Sequence, residues 1–324
     1  MPRQFDDSNK TLISVAMAAY NGSAFIDAQI ESILNQTHTN IELIICDDCS
    51  LDETVKIVCK YQNDTRVKPY FNEINVGYKM NFEKAIGLCS GNYIALADQD
   101  DIWNPRKLEL LLKHISDHDL IHSDAVIIDD RGAVIDTSYS RYSSKSLICT
   151  ARNILFNGSV TGCTCMFNSR ITGQILPFPS GDYAHDRWIA LVSSIGNGVH
   201  YLDLPLIKYR QHSNNISGAS KFQFDFTSMV MSVLDTERHS GILQHYSFAC
   251  SVKNRFPKAN IKLCSDLELA CNLHDSIKLG HFFNFLKYSF YAIDSIDVGS
   301  SIFVRIFKLI NLCKITLVNK YKND

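Results

Sequence analysis

The sequence predicts an α/β fold, a mostly parallel sheet with helices on both faces followed by a helical C-terminal extension. Three observations carry this expectation. Short apolar runs alternate with segments of helical spacing from residue 11 to about 128, the pattern of strand–helix–strand units that build a parallel sheet. Two of the apolar runs end in aspartates, Asp47-Asp48 and Asp98-Gln99-Asp100-Asp101, which sets acidic side chains together at the carboxyl edge of the sheet, where such folds hold ligands. After Ser217-Gly218 helical periodicity returns and continues with few breaks to the end.

Taken in order, Leu12 to Ala19 is an apolar run that ends at Tyr20-Asn21-Gly22, a buried strand followed by a turn. Phe25, Ile26, Ile30, Ile33 and Leu34 mark one face of the helix that follows. Ile41 to Cys46 is the second strand, and Ser50-Leu-Asp-Glu53 has the spacing of a capping box opening a helix through Val55, Val58, Cys59 and Tyr61. Val67 to Phe71 is a weaker third strand, and Asn75-Val-Gly77 turns into a helix carrying Met80, Phe82, Ala85, Ile86 and Leu88. The strand Tyr93 to Ala97, a helix from Pro105 to Ile115 with Asn104 as its N-cap, and the strand Leu120 to Ile128 complete the alternation. From Asp129 to Leu204 the pattern is irregular, with breakers at Gly132, Gly158, Gly162, Pro177, Pro179 and Gly181. Loop-rich stretches on a rigid sheet are where substrate selectivity usually lies.

A chain of 324 residues, 46% hydrophobic and 20% charged, can bury one large core, and its net charge of −2 gives no global pull toward nucleic acid. The polar start, residues 1–10, has no apolar core of a secretory signal, and no long uncharged apolar run marks a membrane span. A cytosolic protein with reduced cysteines is expected. Of the 11 cysteines, the pairs Cys46-x-x-Cys49 and Cys163-x-Cys165 have spacings that zinc or redox chemistry uses, and core packing is the favoured reading of both.

The acidic end of Ile94–Trp103 carries the most chemistry. Three carboxylates this close beside a buried strand repel one another unless a cation or hydrogen-bond donors offset the cost. Hard oxygen ligands suit Mg²⁺ or Mn²⁺, which hold a diphosphate with only one or two protein carboxylates. Helix capping is an equally weighted reading of the same residues.

Six ordered motifs resemble glycosyltransferases of family 2 with the GT-A Rossmann-like fold: Ala18-Ala-Tyr-Asn-Gly22, Cys46-Asp-Asp-Cys-Ser-Leu-Asp52, Asn75-Val-Gly77, Asp98-Gln-Asp-Asp101, His185-Asp-Arg-Trp188 and Tyr209-Arg-Gln-His212. The segment Asp98 to Trp103 is similar to that of bacterial rhamnosyltransferase-type members. The resemblance covers residues 11 to about 215. It implies a catalytic domain over 11–216, with a nucleotide-sugar half at 11–128 and an acceptor half at 129–216, after a tail at 1–10 and before a helical region at 217–324.

Carried onto these positions, the resemblance implies that Ala19, Tyr20, Asp48, Asp98 and Gln99 bind the nucleotide sugar, with Asp48 accepting from the imide of a pyrimidine base. Asp100 and His212 are the implied ligands of Mn²⁺ or Mg²⁺, and Asp186 is the implied catalytic base. His185 stands where an acidic residue is more common, and Asp182 is the next candidate for the base. Asp101, Trp103, His185, Trp188 and Arg210 are accessory or acceptor-side candidates. Structural alternatives stand beside these roles: a turn cap for Asp48, a surface ion pair of Asp186 with Arg187 or Arg210, a loop histidine for His212 and core packing for Trp188.

The implied activity is an inverting, metal-dependent transfer of a sugar to a hydroxyl of a growing bacterial surface glycan of O-antigen or capsule type. The expected donor is dTDP-L-rhamnose, with a UDP-hexose as the alternative and a lipid-linked or oligosaccharide acceptor. A nucleotidyltransferase is the enzymatic rival, although Tyr20-Asn-Gly-Ser-Ala24 offers one glycine where a phosphate loop needs several. A sugar-nucleotide-binding module is the non-enzymatic rival. Along the tail, Ile302, Ile306, Leu309, Ile310, Cys313 and Leu317 recur at helical spacing beside Arg305, Lys308 and Lys314. That stripe fits either a headgroup-bound helix or packing on the protein, and the implied chemistry favours peripheral association with the inner face of the cytoplasmic membrane.

Overall fold

The computed structural model describes residues 10–143 and 160–213, apart from 182 and 183, together with 147, 149–151, 153–154, 215, 251–256 and 272. The chain divides into two compact units. One comprises Met1–Leu147, Val160–Phe178 and Ala184–Lys221, and the other Ile148–Ser159, Pro179–Tyr183 and Phe222–Asp324. Of the second, residues 251–255 are helical with Val252 buried. The helical region expected at 217–324, with its amphipathic tail, otherwise lies outside the described residues. Among those described, no helix is long and apolar enough to cross a membrane.

The first unit is built on one sheet. Strands β1 (Ile13–Ala19), β2 (Ile41–Asp47), β3 (Val67–Phe71) and β4 (Tyr93–Ala97) alternate with helices α1 (Ile26–Leu34), α2 (Thr54–Cys59) and α3 (Tyr78–Gly87). Their order β3-β2-β1-β4 is parallel throughout. β1 and β2 are apolar on both faces because helices cover both, so Val15, Met17, Leu43 and Ile45 have no exposure. Pro69 lies in β3, where an edge strand tolerates its missing N–H. Glu42 sits buried within β2, accepting from Ser14 Oγ, from Ser90 N and Oγ, and from Lys68 Nζ.

Beyond β4 the sheet changes direction. β5 (Ile102–Trp103), α4 (Lys107–His114), β6 (Leu120–Ile128), β7 (Val134–Asp136), α5 (Tyr139–Ser143), β8 (Cys165–Asn168), α6 (Thr172–Ile175), α7 (His185–Ile195) and β9 (Val199–Arg210) follow in the chain. The sheet continues β4-β8-β6-β9-β5, with β7 on β6. β8 runs antiparallel to both β4 and β6, and β5 antiparallel to β9. The sheet is therefore mixed and not mostly parallel, since the second half returns by a strand between two parallel neighbours.

Three local expectations need correction. Ser50 does not cap α2: its hydroxyl donates to Asp47 Oδ1, and Asp52 Oδ1 accepts from Thr54 N where the helix begins. Asn104 Oδ1 accepts from Arg106 N, but α4 begins only at Lys107, because Ile102 and Trp103 are drawn into pairing with β9. The stretch from Asp129 to Leu204 is not irregular throughout. It contains the eleven-residue helix α7 and the first half of the twelve-residue strand β9, whose part-exposed pattern and internal Pro205 hide the strand from an apolar-run reading.

Candidate active site

The carboxyl ends of β1, β2 and β4 lie side by side, so their loops share one edge. Ala19 O accepts from Asp48 N at 2.8 Å. The next three amides, Asn21 N, Gly22 N and Ser23 N, are held by Ser50 Oγ, Thr54 Oγ1 and Asp52 Oδ2 of the following unit. Tyr20 is left at the rim, 43% exposed. Gln99 reaches back from β4 and grips its main chain, Oε1 accepting from Tyr20 N and Nε2 donating to Tyr20 O, each at 2.8 Å. A Cβ at position 22 would strike the Gln99 amide, so the close approach demands glycine. The side chain of Gln99 is thus committed to shaping the loop of Tyr20.

Asp48 is buried and organises a second loop. Its Oδ1 accepts from Asn72 Nδ2 and Val76 N, and its Oδ2 from Gly77 N, all at 2.8 Å. Gly77 has φ +85°, a conformation that favours glycine. Around this edge Leu51, Ile74, Val76 and Tyr20 leave apolar surface exposed.

At the end of β4 the acidic residues separate into different tasks. Asp100 Oδ2 lies 2.8 Å from His212 Nε2, and the two side chains are each 14% exposed. Asp101 is buried; Oδ1 accepts from Arg210 N at 3.1 Å, while Oδ2 has no partner among the standard donors. Asp98, Asp101 and Cys163 bring a potential ligand atom each to within 4.8 Å of one another. Burial, with Asp100 as the nearest repelling charge, raises both Asp98 and Asp101 above the ordinary carboxylate range, and Asp186 adds to the effect on Asp98. Burial likewise holds Cys163 as a thiol.

β9 closes the site from the other side. Arg210 is buried, with Nε donating to Asp100 O at 2.8 Å and Nη1 to Asp129 O and Asp130 O at 3.1 Å, and its guanidinium lies 4.6 Å over the Phe25 ring. The His212 ring packs on the same Phe25 at 5.0 Å. One aromatic side chain just before α1 thus seats both the last residue of β9 and His212 beyond it.

Asp186 stands in the first turn of α7, with Oδ2 accepting from Gly162 N at 3.0 Å and Oδ1 from Arg187 N at 2.7 Å. His185 is stacked on Phe82 at 4.0 Å with Tyr78 and Phe178 near its ring, and neither ring nitrogen has a hydrogen-bond partner among the described residues. Burial depresses its pKa and keeps it neutral. Trp188 and Trp103 are core residues. The Trp188 indole N–H donates to Ile175 O at 2.8 Å, and Trp103 is 3% exposed, which removes both from the acceptor-side candidates. Arg210 likewise serves the scaffold by binding three carbonyls. Asp182 lies outside the described residues.

Two donor sets compete for a divalent cation. Asp98, Asp101 and Cys163 include a protonated thiol and lie beside the buried ammonium of Lys107, a poor setting for Mg²⁺ or Mn²⁺. Asp100 and His212 offer a carboxylate oxygen and an imidazole nitrogen at the mouth of the site, already juxtaposed and with residual exposure. That pair fits a metal that keeps most of its coordination for water and a diphosphate. Such an ion would supply charge neutralisation for a departing diphosphate.

Residues 14–171 match the family described as glycosyl transferase family 2. A putative teichuronic acid biosynthesis glycosyltransferase of Bacillus subtilis, TuaG, is 30% identical over 64% of this chain and 82% of its own length. The chain belongs to glycosyl transferase family 2. The Escherichia coli protein WfgD, named a UDP-Glc:α-D-GlcNAc-diphosphoundecaprenol β-1,3-glucosyltransferase, is 29% identical over 65% of this chain and 82% of its own. The solved structure of Staphylococcus aureus TarS residues 1–349 in complex with UDP has the same fold, with a TM-score of 0.60 at 17% identity over 96% of this chain and 92% of that one. In this glycosyltransferase the aspartates, Gln99, Asp186 and His212 were all visible to motif reading. Phe25, Lys107 and Gly162 were not, because an apolar or isolated residue gives no signal until the fold brings it to the site, and Cys163 showed only as one of a cysteine pair read as core packing.

Proposed function

We propose that this glycosyltransferase moves a sugar from a uridine-diphosphate hexose to a hydroxyl of a bacterial surface glycan, with inversion at the anomeric carbon. The observation that carries the reading is the position of Asp186: Gly162 N holds its Oδ2, and Cys163, the next residue, brings its sulfur to within 4.8 Å of a carboxylate oxygen of Asp98 on the donor-side edge. A carboxylate beside a diphosphate site is placed to take the acceptor's proton as its oxygen attacks, a role worth about 10²- to 10⁴-fold. Asp48 would accept the imide N–H of the base through Oδ2, which carries only the Gly77 bond. Asp100 and His212 would hold the cation at the diphosphate.

The donor follows the names of WfgD and of the TarS complex, not the rhamnosyl resemblance. The segment that suggested dTDP-L-rhamnose is committed inward: Gln99 to the Tyr20 loop, Asp101 to Arg210 N and Trp103 to the core. It therefore says little about the sugar. WfgD is named for a lipid-linked acceptor, and a similar acceptor would bring this enzyme to the inner face of the cytoplasmic membrane.

The test is a donor panel, UDP-hexoses against dTDP-L-rhamnose, assayed for nucleotide release with and without a diphospholipid-linked N-acetylhexosamine acceptor and with Mn²⁺ or Mg²⁺. Acceptor-dependent release from a UDP-hexose is expected. Release only from dTDP-L-rhamnose overturns the donor, and release that ignores the acceptor overturns transfer.

A further inference from the structure

Lys107 is the one lysine among the largest fully buried side chains, at 0% exposure. Burying an ammonium costs several kcal/mol unless other groups compensate. Here Nζ donates to Cys163 O at 2.6 Å and lies 3.5 Å over the Trp103 ring. The carboxyls of Asp101 and Asp98 act on it as well, although burial dominates and lowers its pKa to about 8. A leucine or methionine would fill the same volume at no electrostatic cost, so the charge has a use that packing does not explain.

The far end of the contact supplies it. Cys163 belongs to the short 3₁₀ turn Gly162–Thr164, and the residue before it, Gly162, donates its N–H to Asp186 Oδ2 at 3.0 Å. The turn is pressed against the start of α7. A Cβ on Gly162 would come within 3.1 Å of His185 Nε2 and 3.4 Å of Asp186 Cβ. Thr164 N and Oγ1 donate to Thr161 O and Cys165 N donates to Gly162 O, so the carbonyl that Lys107 holds and the amide that holds Asp186 belong to one hydrogen-bonded turn.

We infer that Lys107 is a positioning residue that locks the Gly162–Thr164 turn and through it aligns Asp186 with the aspartate edge of β4. The inference rests on the assignment of Asp186 as the base. It adds that α4, which carries none of the proposed donor-binding or base residues, sets where that base stands. A displacement of about 1 Å in a reacting group costs on the order of 10²-fold in rate.

The experiment uses Lys107→Met, Gly162→Ala and the double variant in the full chain, with two readouts. Amide hydrogen exchange at Gly162, measured without substrate, is expected to be at least tenfold faster in Lys107→Met than in wild type. In the transfer assay each single variant is expected to lose about 10²-fold in kcat with the donor KM changed less than threefold. The double variant should fall no further than the worse single one, because both act through one link. Unchanged exchange at Gly162, kcat within twofold of wild type, or multiplicative losses would each overturn the inference. If Lys107→Met melts below the assay temperature, Gly162→Ala decides: normal kcat in that variant overturns the link, and a kcat loss at normal KM sustains it. A wild type that transfers no sugar fails the proposed function alone, since the exchange readout requires no substrate.

Discussion

Arg210→Lys tests how the metal side of the site is held. Arg210 joins the carbonyls of Asp100, Asp129 and Asp130 and covers Phe25. Lysine keeps the charge but not the planar fork, so it can satisfy one or two of these acceptors and leaves at least one part-buried carbonyl without its charged partner. That omission costs about 1–3 kcal/mol, or roughly 3–10 °C in melting temperature for a domain of this size. The effect on the site is larger than the effect on the fold. Asp100 is the proposed ligand, and the bond from Arg210 Nε fixes its main chain. Loss of a group that orients a ligand typically lowers metal affinity about 10- to 100-fold. Calorimetric titration of Mn²⁺ in the presence of UDP, beside a thermal melt, reads both. If Arg210→Lys binds Mn²⁺ as wild type does, Arg210 does not orient the ligand and the metal assignment of Asp100 loses its support.

Other outcomes follow from the same contacts. Asp100→Ala should abolish metal-dependent transfer and leave the melting temperature within a few degrees, because it removes a part-exposed ligand and no core volume; full activity in excess EDTA would contradict this. Asp186→Asn should keep UDP binding and lose about 10²- to 10⁴-fold in kcat, since the amide cannot accept a proton; normal turnover would move the base elsewhere. Glu42 is pushed up by burial but drawn down more by Lys68, Ser14 and Ser90, to about 2 from 4.5. A lowered folded pKa means the ionised form stabilises the fold above about pH 4.5 and that this contribution fades as pH falls toward 2. Urea melts of Glu42→Gln should therefore show a deficit of about 1–3 kcal/mol at pH 7 that narrows between pH 5 and pH 3; a deficit independent of pH would refute it.

The first half of the fold was legible because each element there is local. β1, β2 and β4 are largely apolar runs, and α1 and α3 carry their buried faces at helical spacing. β6 was as legible, but β8 and β9 were not, because β8 is four residues long and β9 mixes exposed and buried positions across Pro205. Their pairing partners, β4 and β6 for β8 and β6 and β5 for β9, lie far away in sequence. Register between such segments is set by tertiary contacts that no window of sequence contains. Glu42 shows the same limit at one residue: nothing in Ile41–Asp47 announces that a buried glutamate will find two serines and a lysine from three other segments.

The acidic motif shows why a functional reading of sequence blurs adjacent roles. Asp98, Gln99, Asp100 and Asp101 look like one cluster, yet successive side chains leave a strand end in different directions. Gln99 turns to the loop after β1, Asp100 to the mouth beside His212, and Asp101 inward to Arg210 N. Within this motif the residues that retain exposure are the ones placed to meet a substrate, while the inward one cements the strands that carry it. A buried carboxyl such as Asp101 still shapes chemistry, because its charge and that of Asp98 face Lys107 from the same pocket. The motif is therefore best understood as a joint between four segments whose outward face is the proposed donor site, and a substitution at Asp101 should act first on folding and only through it on catalysis.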